Sequence, residues 1–282
     1  MVIKANSRLR IAVAAKYDEQ ANEVTTSSLV FPLAFQDTID IDFLAPGFPH
    51  DIIHYASNSR HIGEKAIIDQ ALNVMRNYLK IKECFHIKIH KTVPTGYGLG
   101  SGASNAWHIM MAIIKMLKLK VTKNELLKIA YEIGHEVSYF ATNKIATFNS
   151  KTQEIELVKS TIKPYILLIF PRKIVMKEKI TEDYVTLLNA NKAEESQLNT
   201  AEISKINDLK DRLTNDFLSA ALKIDDINFL YNDLKKANTP YFGIAGRGTT
   251  VFVFSESRSI IRKLREKYRK LGFNALITTL HT

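Results

Sequence analysis

Lys91-Thr-Val-Pro-Thr-Gly-Tyr-Gly-Leu-Gly-Ser-Gly-Ala-Ser-Asn-Ala106 sets four glycines, Gly96, Gly98, Gly100 and Gly102, on alternate positions. Upstream, residues 85–89 alternate apolar and polar side chains with the period of a strand; downstream, residues 106–117 form an apolar run at helical spacing. Without Cβ atoms such a backbone turns tightly and brings successive N–H groups to a ligand, and the amides opening the next helix favour negative charge. Phosphate fits that description. Ser101 and Ser104 add hydroxyls for phosphate oxygens or Mg²⁺, and the apolar Leu99 anchors the loop to the core. Glycine-rich segments are also common as plain flexible loops, so the reading rests on the alternate spacing and on the flanking strand and helix. A P-loop would need Gly-Lys-Ser/Thr, and no lysine follows Gly102; a dinucleotide fold would need parallel βαβ repeats that this order of elements lacks.

Around this stretch, strand patterning dominates the first part of the chain, at 9–14, 28–33 and 37–43. Helices are predicted at 62–78 and at 122–133, the second opened by a capping box from Thr122 to Glu125. A turn at 147–151 precedes a strand at 165–170 closed by Pro171, and a polar, mainly helical region runs to about 222. The tail mixes helices at 226–237 and 257–271 with strands at 241–244, 248–254 and 274–280. This order predicts an α+β architecture in two halves, residues 1–157 with the phosphate-binding loop and residues 158–282, with the site between them.

Composition bounds the function classes. Apolar residues make up 46% of the 282-residue chain, enough for a core that needs no metal or disulfide. The single cysteine, Cys84, cannot form an internal disulfide and points to a reducing compartment, the cytoplasm. Residues 1–16 show no signal-type apolar core and 165–170 is far too short to span a bilayer, so no membrane partner is expected. A net charge of +10 is compatible with nucleic acid, a membrane surface or anionic small substrates. Its densest block, 262–270, interleaves charges with Leu264, Tyr268 and Leu271 at helical spacing, as a solvated helix face does, and no aromatic or recognition motif for nucleic acid accompanies it.

The run from Pro94 to Ala106 resembles the second motif of the GHMP kinase superfamily (galactose, homoserine, mevalonate and phosphomevalonate kinases), and Gly243-Ile-Ala-Gly-Arg-Gly-Thr-Thr-Val251 resembles its third. Within the superfamily the chain is most similar to the 4-diphosphocytidyl-2-C-methyl-D-erythritol kinases, through Asp37-Thr-Ile-Asp-Ile41, Lys91 and Pro94, Gly134-His-Glu-Val-Ser-Tyr-Phe140 and Asn215-Asp-Phe217. The resemblance implies a two-domain GHMP-kinase fold with the active site in the cleft between domains, ATP and Mg²⁺ as cofactors, and a small-molecule alcohol as acceptor. It assigns Pro94, Gly96, Gly98, Leu99, Gly100, Ser101, Gly102, Ala103, Ser104 and Asn105 to ATP, with Ser104 also on the metal. Arg10, His135, Gly246, Arg247 and Gly248 fall to the acceptor.

Several positions depart from the family pattern. Where the family carries a lysine and an aspartate acting on the acceptor hydroxyl, this sequence has Arg8 and Glu136. Glutamate retains a carboxylate able to take the hydroxyl proton, and arginine retains positive charge without serving as a base. Arg10 replaces an asparagine, Arg247 a serine, and the cytidine-gripping Gly-Tyr-His falls on Asn22-Glu-Val24. These departures keep a second expectation open: a diverged member that binds nucleotide or a partner with little or no turnover.

Overall fold

The computed structural model describes residues 1–56, 64–174, 176–190, 197–248 and 250–281. The chain forms two compact units. One comprises Met1–Ser7, Phe35–Thr95 and Gly100–Asn143; the other comprises Arg8–Ala34, Gly96–Leu99 and Lys144–Thr282. The sequence placed a single division near residue 158, whereas the compact units share the chain differently. Two long strands, β1 (Val2–Asp18) and β2 (Glu23–Phe43), each contribute residues to both.

In the first unit the C-terminal part of β2 pairs antiparallel with β4 (Phe85–His90), from Thr38 opposite His90 to Phe43 opposite Phe85. The short β3 (Ile52–Tyr55) lies parallel on the other side of β4. Strand β4 buries Phe85, Ile87 and Ile89 and turns His86, Lys88 and His90 outward, the period-2 pattern of its sequence. Helix α1 (Glu64–Leu79) packs on α2 (Ser101–Met116) and α3 (Lys123–Ile133). Helix α3 starts at the predicted capping box: Glu125 N donates to Thr122 Oγ1, and Thr122 N donates to the Glu125 carboxylate.

In the second unit the N-terminal part of β2 pairs antiparallel with β5 (Ala146–Asn149), and β5 with β6 (Ile155–Leu157). A separate antiparallel sheet has the order β10-β7-β9-β8, built from β7 (Tyr165–Phe170), β8 (Phe242–Ile244), β9 (Val251–Ser255) and β10 (Asn274–Thr278). Because β7 is central, its apolar run is buried along most of its length. Leu167, Ile169, Val251 and Val253 meet Leu230 and Leu234 of α6 (Asp225–Lys236) and Ile261 and Tyr268 of α7 (Arg258–Lys270). The basic block thus sits on a helix that buries only Ile261 and Tyr268, with its charges on the solvated face. A second cluster joins Val13 and Ala15 to Ile180 and Tyr184 of α4 (Lys177–Asn189) and to Phe217 and Ala220 beside the short α5 (Leu218–Ala221).

Most predicted elements are present, with four differences. The strands expected at 28–33 and 37–43 are one, since nothing between them forces a turn. Part of the predicted turn at 147–151 is strand β5, where Thr147 pairs with both Leu29 and Glu156. Strands β3 and β6 are too short to leave a periodic signal, and α2 starts at Ser101, inside the glycine motif. Positions 62 and 63 of the predicted first helix lie outside the described residues. Among the described residues no helix is long and apolar enough to cross a membrane.

Candidate phosphate-binding site

The glycine run makes the turn its spacing implies. Gly96, Gly98 and Gly100 have φ of +88°, +75° and +71°, left-handed angles that side chains with a Cβ rarely adopt. Gly100 is the residue before α2, and that helix of 16 residues has no side-chain cap at its N-terminus. With glycine at the cap, no side chain caps its first amides, and helix starts left in this way receive anions. Leu99 is buried and its carbonyl accepts from Arg8 N at 2.9 Å, so β1 holds the loop from behind, within the second unit.

Not every loop residue faces a ligand. Ser104 is fully buried and donates from Oγ to the Asn6 carbonyl at 2.6 Å. Asn105 is also buried and donates to Asp37 Oδ2 at 3.1 Å. Ser101 Oγ donates to Glu64 Oε1 at 2.7 Å, and a Cβ built on Gly102 would lie 3.1 Å from Glu64 Cγ. Gly102 has no left-handed angle, so its missing side chain makes room for Glu64 rather than bending the loop.

The third motif is a turn between β8 and β9. Gly246 and Gly248 have φ of +55° and +85°. Gly246 N donates to the Arg10 carbonyl at 3.1 Å, Gly248 N to Ala245 O at 2.9 Å, and Asn215 Nδ2 holds the carbonyls of Ile244 and Gly246 at 3.0 and 2.7 Å. The Arg10 side chain runs past Gly246, its Cδ 3.7 Å from where a Cβ would sit. Arg247 donates to Thr181 Oγ1 at 3.1 Å and lies 5.8 Å from the Phe217 ring centroid. Burial, then the neighbouring Arg8 and Arg247 charges, hold the Arg10 guanidinium well below its usual pKa; burial also lowers that of Arg247, against the attraction of Glu178. Three guanidinium groups thus neighbour one another within the second unit. In the first unit, exposed His135 and half-buried Glu136 follow α3, where Val137 N returns to the Gly134 carbonyl at 2.9 Å and the His135 ring meets Tyr131 edge-on.

Residues 66–144 match the GHMP kinases N terminal domain. The span contains the glycine loop, α2 and the Glu136 segment together. The chain carries a GHMP kinase N-terminal domain. It is 24% identical over 260 residues to the 4-diphosphocytidyl-2-C-methyl-D-erythritol kinase of Fusobacterium nucleatum, covering 89% of this chain and 87% of that one. Its fold matches the crystal structure of a 4-(cytidine 5'-diphospho)-2C-methyl-D-erythritol kinase with a TM-score of 0.73, at 14% identity and over the whole of both chains. The Methanococcus jannaschii mevalonate kinase matches with a TM-score of 0.72, at 14% identity, over 100% of this chain and 98% of that one.

The domain is that of the GHMP kinases, ATP-dependent small-molecule phosphotransferases. The uncapped N-terminus of α2 fits an ATP phosphate. Ser104, the expected Mg²⁺ ligand, is buried with its Oγ donating to the Asn6 carbonyl, and among the described residues no three His, Cys, Asp or Glu side chains come together as a metal site. The sequence reading missed Glu64 and the partnership of Asp37 with Lys91. Glu64 was signalled by its phase, since it opens the buried stripe Glu64, Ile68, Ala71, Leu72, Met75 of α1.

Proposed function

We propose that the protein transfers the γ-phosphoryl group of ATP to an alcohol, with 4-diphosphocytidyl-2-C-methyl-D-erythritol, the acceptor named for the Fusobacterium relative, as the favoured substrate. The observation that carries the reading is the uncapped N-terminus of α2 directly behind three left-handed glycines, a helix start of the kind that receives anions. The acceptor oxygen attacks the γ-phosphorus, the bond to the β–γ bridging oxygen breaks, and the hydroxyl proton passes to the Glu136 carboxylate. Arg8 offsets the charge that develops on the transferring group, and it cannot replace Glu136 as a base because guanidinium stays protonated. Arg10 and Arg247 hold the anionic part of the acceptor, supported by their place on β1 and on the third turn. The cytidine end is held less firmly than in the family: at the family's tyrosine and histidine positions stand Glu23, which is exposed, and Val24, which packs on the Val13 and Phe217 cluster.

Coupled ADP-release assays with a panel holding this substrate, mevalonate, homoserine and simple polyols test the reading. Turnover is expected with the cytidylated alcohol. Glu136→Gln should lower kcat by about a hundredfold or more and leave ATP affinity within about twofold. ATP binding without ADP release on any alcohol would replace the kinase with a nucleotide-binding relative that has lost turnover.

A further inference from the structure

The buried stripe of α1 opens with a carboxylate. Glu64 is 3% exposed, and a buried carboxylate is costly unless it is paired and hydrogen-bonded. Its partners come from the two ends of the glycine run. Lys91 Nζ and Ser101 Oγ both donate to Oε1 at 2.7 Å, and Thr95 Oγ1 donates to Oε2 at 3.2 Å. Lys91 Nζ also reaches Asp37 Oδ2 at 2.5 Å, while Asp37 Oδ1 accepts from the amides of Thr92 and Val93, both at 2.8 Å. Asn105, from the second turn of α2, closes the set on Asp37. Two carboxyls thus share one ammonium beneath the loop, and every donor they engage precedes Gly96 or follows Gly100. Burial and then the carboxyls of Glu64, Asp69 and Asp37 push the nearby Tyr55 phenol up, an electrostatic trace of the same concentration of negative charge.

We infer that Glu64 is a positioning residue for the nucleotide: by fixing Thr95 and Ser101 it holds both ends of the glycine run, so that the first amides of α2 meet the phosphates without Glu64 touching them. The inference rests on the kinase reading of the loop. Ser101, offered by the sequence as a phosphate ligand, acts through Glu64, and Gly102 is the space that Glu64 requires. Glutamine at position 64 keeps the shape and one acceptor but turns an N–H₂ group toward donors, so the ends of the loop lose their shared anchor.

Isothermal titration of MgATP and steady-state kinetics on the full chain test this with Glu64→Gln, Ser101→Ala and the double variant. Glu64→Gln should raise the Kd and the KM for ATP about tenfold, lower kcat less than about threefold and leave the acceptor KM unchanged, as loss of one charge-assisted hydrogen bond predicts. The double variant should bind ATP no more weakly than the weaker single one, since both changes remove the same contact. A packing role alone would lower the melting temperature and leave the Kd of the folded protein unmoved, and that result overturns the inference. Additional weakening when Ser101→Ala is placed on Glu64→Gln also overturns it, because Ser101 would then contact phosphate directly. Should Glu64→Gln fail to fold, Thr95→Val with Ser101→Ala carries the test, and unchanged ATP affinity there is equally fatal. Wild-type protein that binds no ATP removes the kinase reading itself; wild-type binding that Glu64→Gln leaves intact removes only the role of Glu64.

Discussion

In the turn that leads into α2, Gly96, Gly98 and Gly100 are left-handed and the helix that follows carries no side-chain cap. In the turn that leads into β9, Gly246 and Gly248 are left-handed too, yet the amides there are bonded to the protein itself: Ala245 N to Thr250 O at 2.7 Å, Gly246 N to Arg10 O, Gly248 N to Ala245 O. Two segments that read alike as glycine motifs therefore differ in where their N–H groups go. Amides left at a helix start are available to an anion, and amides spent on neighbouring carbonyls make a rigid bracket. The second turn is such a bracket, and what it supports is the Arg10 and Arg247 pair.

Substitution at Gly100 is the largest way to break the contrast. A β-branched side chain at φ +71° is strained, so Gly100→Val should rebuild the start of α2 and raise the ATP Kd by about a hundredfold or more in titration. Gly102→Val is the poorer probe, because the side chain would strike Glu64 and Ile67 and disturb packing whether or not phosphate binds. The opposite outcome is expected at Gly248, whose added Cβ would lie 2.5 Å from the Ala221 Cβ at φ +85°. Gly248→Ala should cost about 3 kcal/mol in chemical denaturation, from overpacking and backbone strain together, and shift the ATP Kd of the folded protein less than about threefold. A loss of ATP binding at Gly248 as large as that at Gly100 would make both turns ligand loops.

The glycine run was legible in the sequence because a left-handed turn needs glycine at definite positions, and the capping box of α3 was legible because its two residues satisfy each other locally. Helices followed from periodicity, and the short strand β7 from an apolar run closed by Pro171. What the sequence hid is non-local. Glu64 and Ser101 are 37 positions apart, and only folding shows that one anchors the other. Ser104 and Asn105 carry polar groups in a glycine motif and so read as ligand contacts, while the structure spends them on Asn6 and Asp37. The same limit applies to Thr250, which looks like one more β-branched strand residue and is instead a clamp.

Thr250 allows the smallest and most discriminating test. It is fully buried, and its Oγ1 donates to the Tyr97 carbonyl at 2.7 Å, joining the third turn to the 96–99 segment within the second unit. Thr250→Val keeps the shape and removes the donor, so stability should fall by about 1 kcal/mol, the net worth of one such bond with its acceptor left behind. The 96–99 segment keeps its other backbone tie, Arg8 N to Leu99 O, and the α2 amides lie beyond it in sequence. ATP affinity should therefore weaken only about twofold to threefold, near the limit of a careful titration. If it weakens as much as in Gly100→Val, the anion site depends on the bracket and the two turns act as one loop. If it does not change while stability still falls, Thr250 serves the fold alone, and the division between a turn that binds and a turn that supports becomes sharper.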